Sequence, residues 1–334
     1  MSTSENSEST QQRVWIGFDL GGTKMMAVVY DDQLTPLGRK RRKTREKGKD
    51  GVEPQRLADT IRMALDNAGV SEKAIAGIGC GCPGPLDLKK GVILEAPNLG
   101  WKNVALKDFL SKEFDCPAEI CNDVDAGVFG EYSAGAGQGA RCVLGVFPGT
   151  GIGGGCVYEG KIFHGSRASC MEVGFLQMAT EGPPAGVGPV GTLEGLASRL
   201  AISAEAAKAV YRGQAKNLAE VAGTDLSNIR SGILAKAIEA GDTVIEDIVR
   251  RAAEQVGRGI GSLVNVLAPD IVVIGGGLAE AMPEIYLSAA KKGARRNVLP
   301  SLKDVYEIRI AELGDYSAVL GAAAWAKERQ AERQ

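Results

Sequence analysis

Apolar residues along this chain fall into two alternating patterns. Short β-branched runs stop at glycine-rich turns, the mark of strands feeding loops. Longer segments repeat their apolar residues every three or four positions, the mark of amphipathic helices. The first run, Val14-Trp15-Ile16-Gly17-Phe18, continues into Asp19-Leu20-Gly21-Gly22-Thr23-Lys24 and a second apolar run over 25–30. Two such runs around a tight polar turn predict a β-hairpin. A helix is predicted over 55–69, with Leu57, Ile61, Ala64 and Leu65 at helical spacing, Pro54 suited to the first turn and Gly69 to the stop. A buried strand over 75–82 ends in Pro83-Gly84-Pro85, a rigid turn. A helix over 104–114 leads to a strand over 118–121, which ends in Asn122-Asp123 before a further helix over 124–134. Residues 143–158 repeat the opening plan: strand, Gly149-Thr150-Gly151 turn, strand. That internal echo predicts two related halves, each with a glycine-rich loop. The pattern over 200–268 is almost wholly helical. A buried strand from 269 then exits through Gly275-Gly276-Gly277 into a helix over 279–292, and a strand over 305–311 and a helix over 318–332 close the chain.

Composition bounds what such a chain can be. Its 334 residues suffice for two domains, and 44% apolar content with 45 glycines suits an α/β protein with many tight turns. A formal charge of −2 supplies no global basic field for nucleic acid or acidic membranes. The basic run Arg39-Lys40-Arg41-Arg42-Lys43 has no interleaved aromatics and reads as a solvated strand edge. Residues 1–12 are polar, without the apolar core of a signal peptide. No apolar stretch approaches the ~20 residues that cross a bilayer, so the expected location is cytoplasmic. Seven cysteines, an odd number set mostly in apolar runs, read as buried reduced thiols rather than a disulfide framework. His164 is the only histidine and reads as structural.

Three stretches carry candidate chemistry. Glycines at 21 and 22 admit positive φ and bare their N–H groups. With the Thr23 hydroxyl and the Lys24 amine they suit a phosphate cradle, and Asp19 stands where a carboxylate holds hydrated magnesium. A plain hairpin turn is the competing reading, and the spacing is not that of a P-loop. Asn98, in a Pro/Gly-bounded loop, is either a turn former or a fixed donor and acceptor for a hydroxyl-rich ligand. Asp123 closes a strand and opens a helix, so it is either an N-cap or a general base. The run 135–139 has the glycines of a dinucleotide fingerprint but follows a helix and precedes a strand, the wrong order for one.

Taken in order, Asp19-Leu20-Gly21-Gly22-Thr23-Lys24, Pro83-Gly84-Pro85-Leu86-Asp87, Asn98-Leu99-Gly100-Trp101, Asn122-Asp123, Gly149-Thr150-Gly151-Ile152-Gly153, Met171-Glu172-Val173-Gly174, Leu193-Glu194 and Ile274-Gly275-Gly276-Gly277 resemble the ROK family of repressors, open reading frames and sugar kinases. The resemblance runs from 14 to about 325. It implies an α/β fold of the actin-like ATPase, ribonuclease-H-like kind, with two domains and an interdomain cleft where ATP and sugar meet. The expected organisation is a disordered tail over 1–12, a small domain over 13–122, a large domain over 123–317, and a C-terminal helix over 318–334 packing back on the small domain. By the same resemblance Asp123 is the catalytic base, and Pro83, Gly84, Asn98, Asn122, Glu172 and Glu194 border the sugar. Asp19, Gly21, Gly22, Thr23, Lys24, Thr150 and Gly151 flank the phosphates, with Asp19 reaching Mg2+ through water. Gly275, Gly276 and Gly277 lie near the nucleoside.

Two departures from the family pattern change the expectations. Phe175 stands where the family has a histidine, and 176–193 contains neither Cys nor His. Tetrahedral structural zinc needs four such ligands, so none is expected here. The missing histidine also touches the sugar in the family, and Met171 replaces a glycine on the same wall. The resemblance therefore implies an ATP-dependent hexose kinase, glucokinase-like, forming glucose 6-phosphate. Two alternatives stay beside it: a non-catalytic sugar-sensing protein, and a kinase for an N-acetylated amino sugar or fructose, or with polyphosphate as donor. ROK repressors carry an N-terminal winged-helix region, and only about a dozen polar residues precede the first strand, which argues against nucleic acid as a partner. The expected partners are the sugar and ATP, with no membrane; a homodimer is the assembly allowed for.

Overall fold

The opening hairpin forms between β1 (Val14–Leu20) and β2 (Lys24–Tyr30), with β3 (Pro36–Lys43) antiparallel to β2 on its far side. β3 carries the basic run along the sheet edge, its residues alternating between exposed and half-buried. The computed structural model describes residues 13–45, 51–166, 169, 171–186, 188–223 and 225–333. The tail expected over 1–12 lies outside the described residues. Helix α1 (Gln55–Ala68) follows Pro54 and stops at Gly69, whose φ of 67° is the left-handed conformation that ends helices. Its buried face, Leu57, Ala58, Ile61, Ala64 and Leu65, carries the spacing seen in the sequence. β4 (Ile75–Cys82) is buried at every position.

Between β4 and α2 (Leu106–Phe114) the chain makes a small antiparallel sheet: β5 (Leu86–Asp87), β6 (Val92–Ala96) and β7 (Trp101–Val104). The sequence pattern predicts only loops there. Strands of two, five and four residues are too short to show a period. β8 (Ala118–Asn122) completes a five-stranded sheet in the order β3-β2-β1-β4-β8, and α3 (Asp123–Ala134) leaves its end.

The second sheet copies the first. β9 (Cys142–Pro148), β10 (Ile152–Tyr158) and β11 (Lys161–Ile162) form an antiparallel meander. A helical stretch follows: α4 (Leu193–Ala197), α5 (Arg199–Tyr211), α6 (Lys216–Ala222), α7 (Ser231–Glu239) and α8 (Thr243–Leu267). β12 (Ile271–Ile274) then pairs parallel with β9. The expected helix after the triple glycine is two helices, α9 (Gly276–Ala281) and α10 (Pro283–Asn297). Pro283 has no N–H to continue α9 and has the φ that starts a new helix. β13 (Glu307–Ile310) pairs parallel with β12, giving the order β11-β10-β9-β12-β13, and α11 (Ser317–Ala331) ends the fold. In both sheets three antiparallel strands are followed by two parallel ones; the repeat read from the sequence covers the β1–β2 and β9–β10 hairpins, and the structure extends it to the whole sheet.

The chain divides into two compact units. The first holds the described residues up to Gly127, then Ser166, Ser169 and the chain from Ala318; the second holds Val128–Gly165 and the described residues from 171 to Ser317. The division therefore falls inside α3. Each unit has its own apolar core, one around Ile16, Phe18, Ile61 and Ile78, the other around Leu144, Val256, Val272 and Tyr286. In the first unit α11 lies directly on the sheet: a Cβ on Gly17 would be 1.8 Å from the Val319 carbonyl oxygen, and one on Gly79 1.8 Å from that of Ala322.

Candidate functional site

In the first unit β1, β4 and β8 are parallel neighbours that end on one edge, with Asp19 beside Gly81 and Cys82 beside Asn122. At about 4.8 Å per strand, the Asp19 and Asn122 backbones are roughly 10 Å apart. Carboxyl ends of parallel strands are where open α/β sheets place ligands. The turn after Asp19 is braced by buried Thr44, whose hydroxyl donates to the Gly21 carbonyl at 2.6 Å and whose N–H donates to that of Thr23 at 2.9 Å. Neither Gly21 nor Gly22 has the positive φ expected from sequence. The constraint is close approach instead, since a Cβ on Gly22 would lie 3.2 Å from the Asn98 Cβ. Asn98 is thus held against this turn, and its carbonyl accepts from Arg45 Nε at 3.0 Å and Nη2 at 2.6 Å. Thr23, Lys24 and Asn98 are exposed. Gly84 has a φ of 94° and folds the loop after β4 back toward the Glu95 carbonyl.

At the end of β8 the two readings of Asp123 separate. Asn122 Oδ1 accepts from the N–H groups of Val124 at 2.9 Å and Asp125 at 3.3 Å, which is the N-cap arrangement. The cap of α3 is therefore Asn122, and Asp123 is the first helical residue. Its Oδ1 accepts from Val124 N–H at 3.0 Å. Burial pushes the Asp123 carboxyl above the usual aspartate value, against the lowering effect of its hydrogen bonds.

In the second unit the predicted positions gather around the ends of β9 and β12. The Gly149 N–H donates to the Gly151 carbonyl at 2.8 Å, closing the turn, and Thr150 is exposed at its tip. Glu194 reaches this turn because Thr192 caps α4, accepting from Gly195 N–H at 3.2 Å. Its Oε2 accepts from the Ile152 N–H at 2.9 Å and would lie 2.2 Å from a Cβ on Gly151, so a larger residue there would have to push the carboxylate aside. Gly174 packs beside the Glu194 Cβ and brings exposed Glu172 to the same neighbourhood. The Gly275 N–H donates to Val146 at 3.2 Å, and Gly276, with φ 77°, passes close to the Pro148 carbonyl.

Sequence reasoning missed Arg199. Its N–H donates to the Gly149 carbonyl at 2.9 Å, and its Nη2 donates to Thr150 Oγ1 at 2.7 Å. A signal was present: Ser198 caps α5, so Arg199 is a cation at the positive end of a helix, against the usual charge preference. Thr44, the brace of the first turn, had no such signal, being 23 residues from its partner.

The departures from the family pattern have structural answers. Phe175 lays its ring on Gly188, whose Cβ would be 2.9 Å from the ring. The segment around it is held by bridges pairing Gln177 with Thr192 and Pro184 with Val190, and by Gln177 Nε2 donating to the Val190 carbonyl at 2.8 Å. Met171 has a φ of 64°, a conformation that favours glycine. Among the described residues no group of three or more His, Cys, Asp or Glu is arranged around a metal position. Structural zinc needs four such ligands, whereas Mg2+ takes one or two carboxylates together with water and substrate phosphates. The six described cysteines are free, and no described helix is long and apolar enough to cross a membrane.

The ROK family profile matches residues 15–329. The chain is 31% identical over 324 residues to a glucokinase of Halalkalibacterium halodurans, covering 95% of this chain and 96% of that one. Among solved structures it is similar to a ROK hexokinase from Thermus thermophilus, at TM-score 0.79 and 33% identity over 96% of this chain and 99% of the other. A ROK family glucokinase from Streptomyces griseus, in complex with glucose and AMPPNP, aligns at TM-score 0.79 and 29% identity, covering 94% and 99%. With the doubled α/β sheets and a family match over nearly its whole length, the chain belongs to the ROK family and has the actin-like fold of its sugar kinases.

Proposed function

We propose that this protein is an ATP-dependent hexose kinase of the glucokinase kind, with Asp123 as general base. A sugar kinase is supported by the similarity to a glucokinase and to ROK kinase structures, one of them holding glucose and an ATP analogue. The observation that carries the role of Asp123 is the division of labour at the start of α3. Asn122 accepts from the Val124 and Asp125 N–H groups, so the cap does not depend on the Asp123 carboxyl, whose own bond is to the Val124 N–H that Asn122 already takes.

In this reading a sugar hydroxyl gives its proton to the Asp123 carboxylate as its oxygen bonds to the γ-phosphorus, and the bond to the β-phosphate oxygen breaks to release ADP. Asp19, Gly21, Gly22, Thr23 and Lys24, with Thr150 and Gly151, hold the phosphates, and Gly275 to Gly277 take the nucleoside end. Pro83, Gly84, Asn98, Asn122, Glu172 and Glu194 are assigned to the sugar. Magnesium, when bound, neutralises phosphate charge, and Asp19 would hold it through water. A second reading is favoured by Phe175: an apolar ring in place of a hydrogen-bonding histidine can pack on a methyl group, such as the acetyl methyl of an N-acetylated amino sugar.

A panel of sugars crossed with ATP and polyphosphate, read as sugar phosphate formed, tests the substrate and donor. Sugar binding with no phosphate transfer anywhere in the panel would make the protein a sugar sensor. Asp123→Asn keeps size and hydrogen bonding but cannot take the proton, so turnover should fall about 10²–10⁴-fold while sugar affinity persists. Turnover within a few-fold of wild type sinks the assignment of Asp123.

A further inference from the structure

We propose that Arg199 is a phosphate-binding residue for the phosphoryl donor, acting with Thr150 as one unit. This rests on the kinase reading and adds to it a residue on α5 that no motif marked. Arg199 is fixed to the Gly149–Gly151 turn twice, by its own N–H on the Gly149 carbonyl at 2.9 Å and by Nη2 on Thr150 Oγ1 at 2.7 Å. A guanidinium has five N–H donors in a planar fork, so this contact leaves others for an oxyanion. Thr150 is oriented by the same bond. Its oxygen accepts from a cation, which leaves the hydroxyl proton to donate and makes it a stronger donor. Arginine and threonine thus offer N–H and O–H groups from one point on the turn.

The charge balance points the same way. The charge that acts on the Arg199 guanidinium is that of another cation, Arg230, and among the described residues the side-chain bond that Arg199 makes is to the neutral Thr150 hydroxyl. Burial and then Arg230 hold the guanidinium below the usual arginine range. A second cation acting on Arg199 favours an anion there, and a planar fork suits the oxygens of a phosphate. Arg230 precedes α7, whose first residue, Ser231, faces Gly277: a Cβ there would be 3.6 Å from its hydroxyl. The residue after Arg230 is therefore next to the turn assigned to the nucleoside.

The test uses the full-length protein and its variants Arg199→Met and Arg199→Lys, with melting temperature as a check on folding. The backbone bond to Gly149 survives both changes, so the side chain is tested alone. Calorimetry with AMPPNP, adenosine and glucose separates phosphate, nucleoside and sugar binding. Arg199→Met should weaken AMPPNP about 10- to 100-fold, the effect of losing hydrogen bonds to a charged group. Adenosine and glucose should stay within about 2-fold. Arg199→Lys, which keeps the charge but not the fork, should recover part of the loss. Adding Thr150→Val to Arg199→Met should cost less than the two single effects summed, because the pair acts as a unit. Unchanged AMPPNP affinity in Arg199→Met overturns the proposal, as does an equal loss of adenosine, which would mean that the substitution disturbed the turn. Wild-type protein that binds AMPPNP but phosphorylates no sugar counts against the kinase reading alone. Wild-type protein that binds no AMPPNP overturns both.

Discussion

At Asp123 burial and hydrogen bonding pull the carboxyl in opposite directions, and burial is the larger effect. Its proton is therefore lost at higher pH than from an ordinary aspartate. A base must be deprotonated to act, so turnover should fall on acidification through a pKa above the usual aspartate value; an acid limb at or below that value would refute the assignment. The sign for stability follows from the same shift. The native state holds this proton more tightly than the unfolded chain, so the group's contribution is greatest below its unfolded pKa and is lost as pH rises through the folded one. At neutral pH the charged form costs stability, and Asp123→Asn should melt at an equal or higher temperature than wild type while turning over more slowly. A large drop in melting temperature would make the carboxylate structural. Met171 presents another residue-scale balance. Left-handed backbone costs a side-chain-bearing residue about 1–2 kcal/mol, whereas glycine brings about 0.5–1 kcal/mol of extra unfolded-state entropy. Met171 also packs partly against the second core, so Met171→Gly should leave stability within about 1 kcal/mol of wild type. A denaturant titration showing a much larger loss would mean that packing, not backbone strain, dominates there.

At the scale of elements, the two glycine turns were legible because an apolar run, a Gly/Thr break and a second run are all local signals. Why those glycines are needed was not legible. Gly22 meets Asn98 and Gly151 meets Glu194, each across more than 40 residues of chain, and neither constraint is the positive φ that an isolated turn suggests. Asn122 and Asp123 are a similar case. Either residue type caps a helix, and only the geometry of the strand end gives the cap to Asn122. The segment over 177–192 carries a prediction of its own. Backbone bridges and the Gln177 side chain hold it together, and it has no thiol or imidazole to bind zinc. Elemental analysis should find no stoichiometric zinc, and a zinc-selective chelator should leave the melting temperature unchanged. About one tightly held zinc per chain would refute this.

At the scale of the whole molecule, the chain builds the same five-stranded plan twice and returns α11 to the first sheet. That return has little tolerance, because a Cβ on Gly79 would fall 1.8 Å from the Ala322 carbonyl oxygen. Gly79→Ala should therefore shift the helix and cost about 1–3 kcal/mol or more, seen as a lower denaturation midpoint; an unchanged midpoint would show that the contact relaxes freely. By itself the sequence determined the kinds and order of most elements, the buried strands, the repeat and the family-bearing turns, because burial along one strand or helix face imposes its period within a short window. The tertiary structure alone decided which side chains meet: Thr44 on Gly21, Glu194 on Ile152, Arg199 on Thr150, and α11 on β1 and β4. Those partners are brought together by chain closure over tens or hundreds of residues, whose entropic cost grows only slowly with separation, so no local period records them.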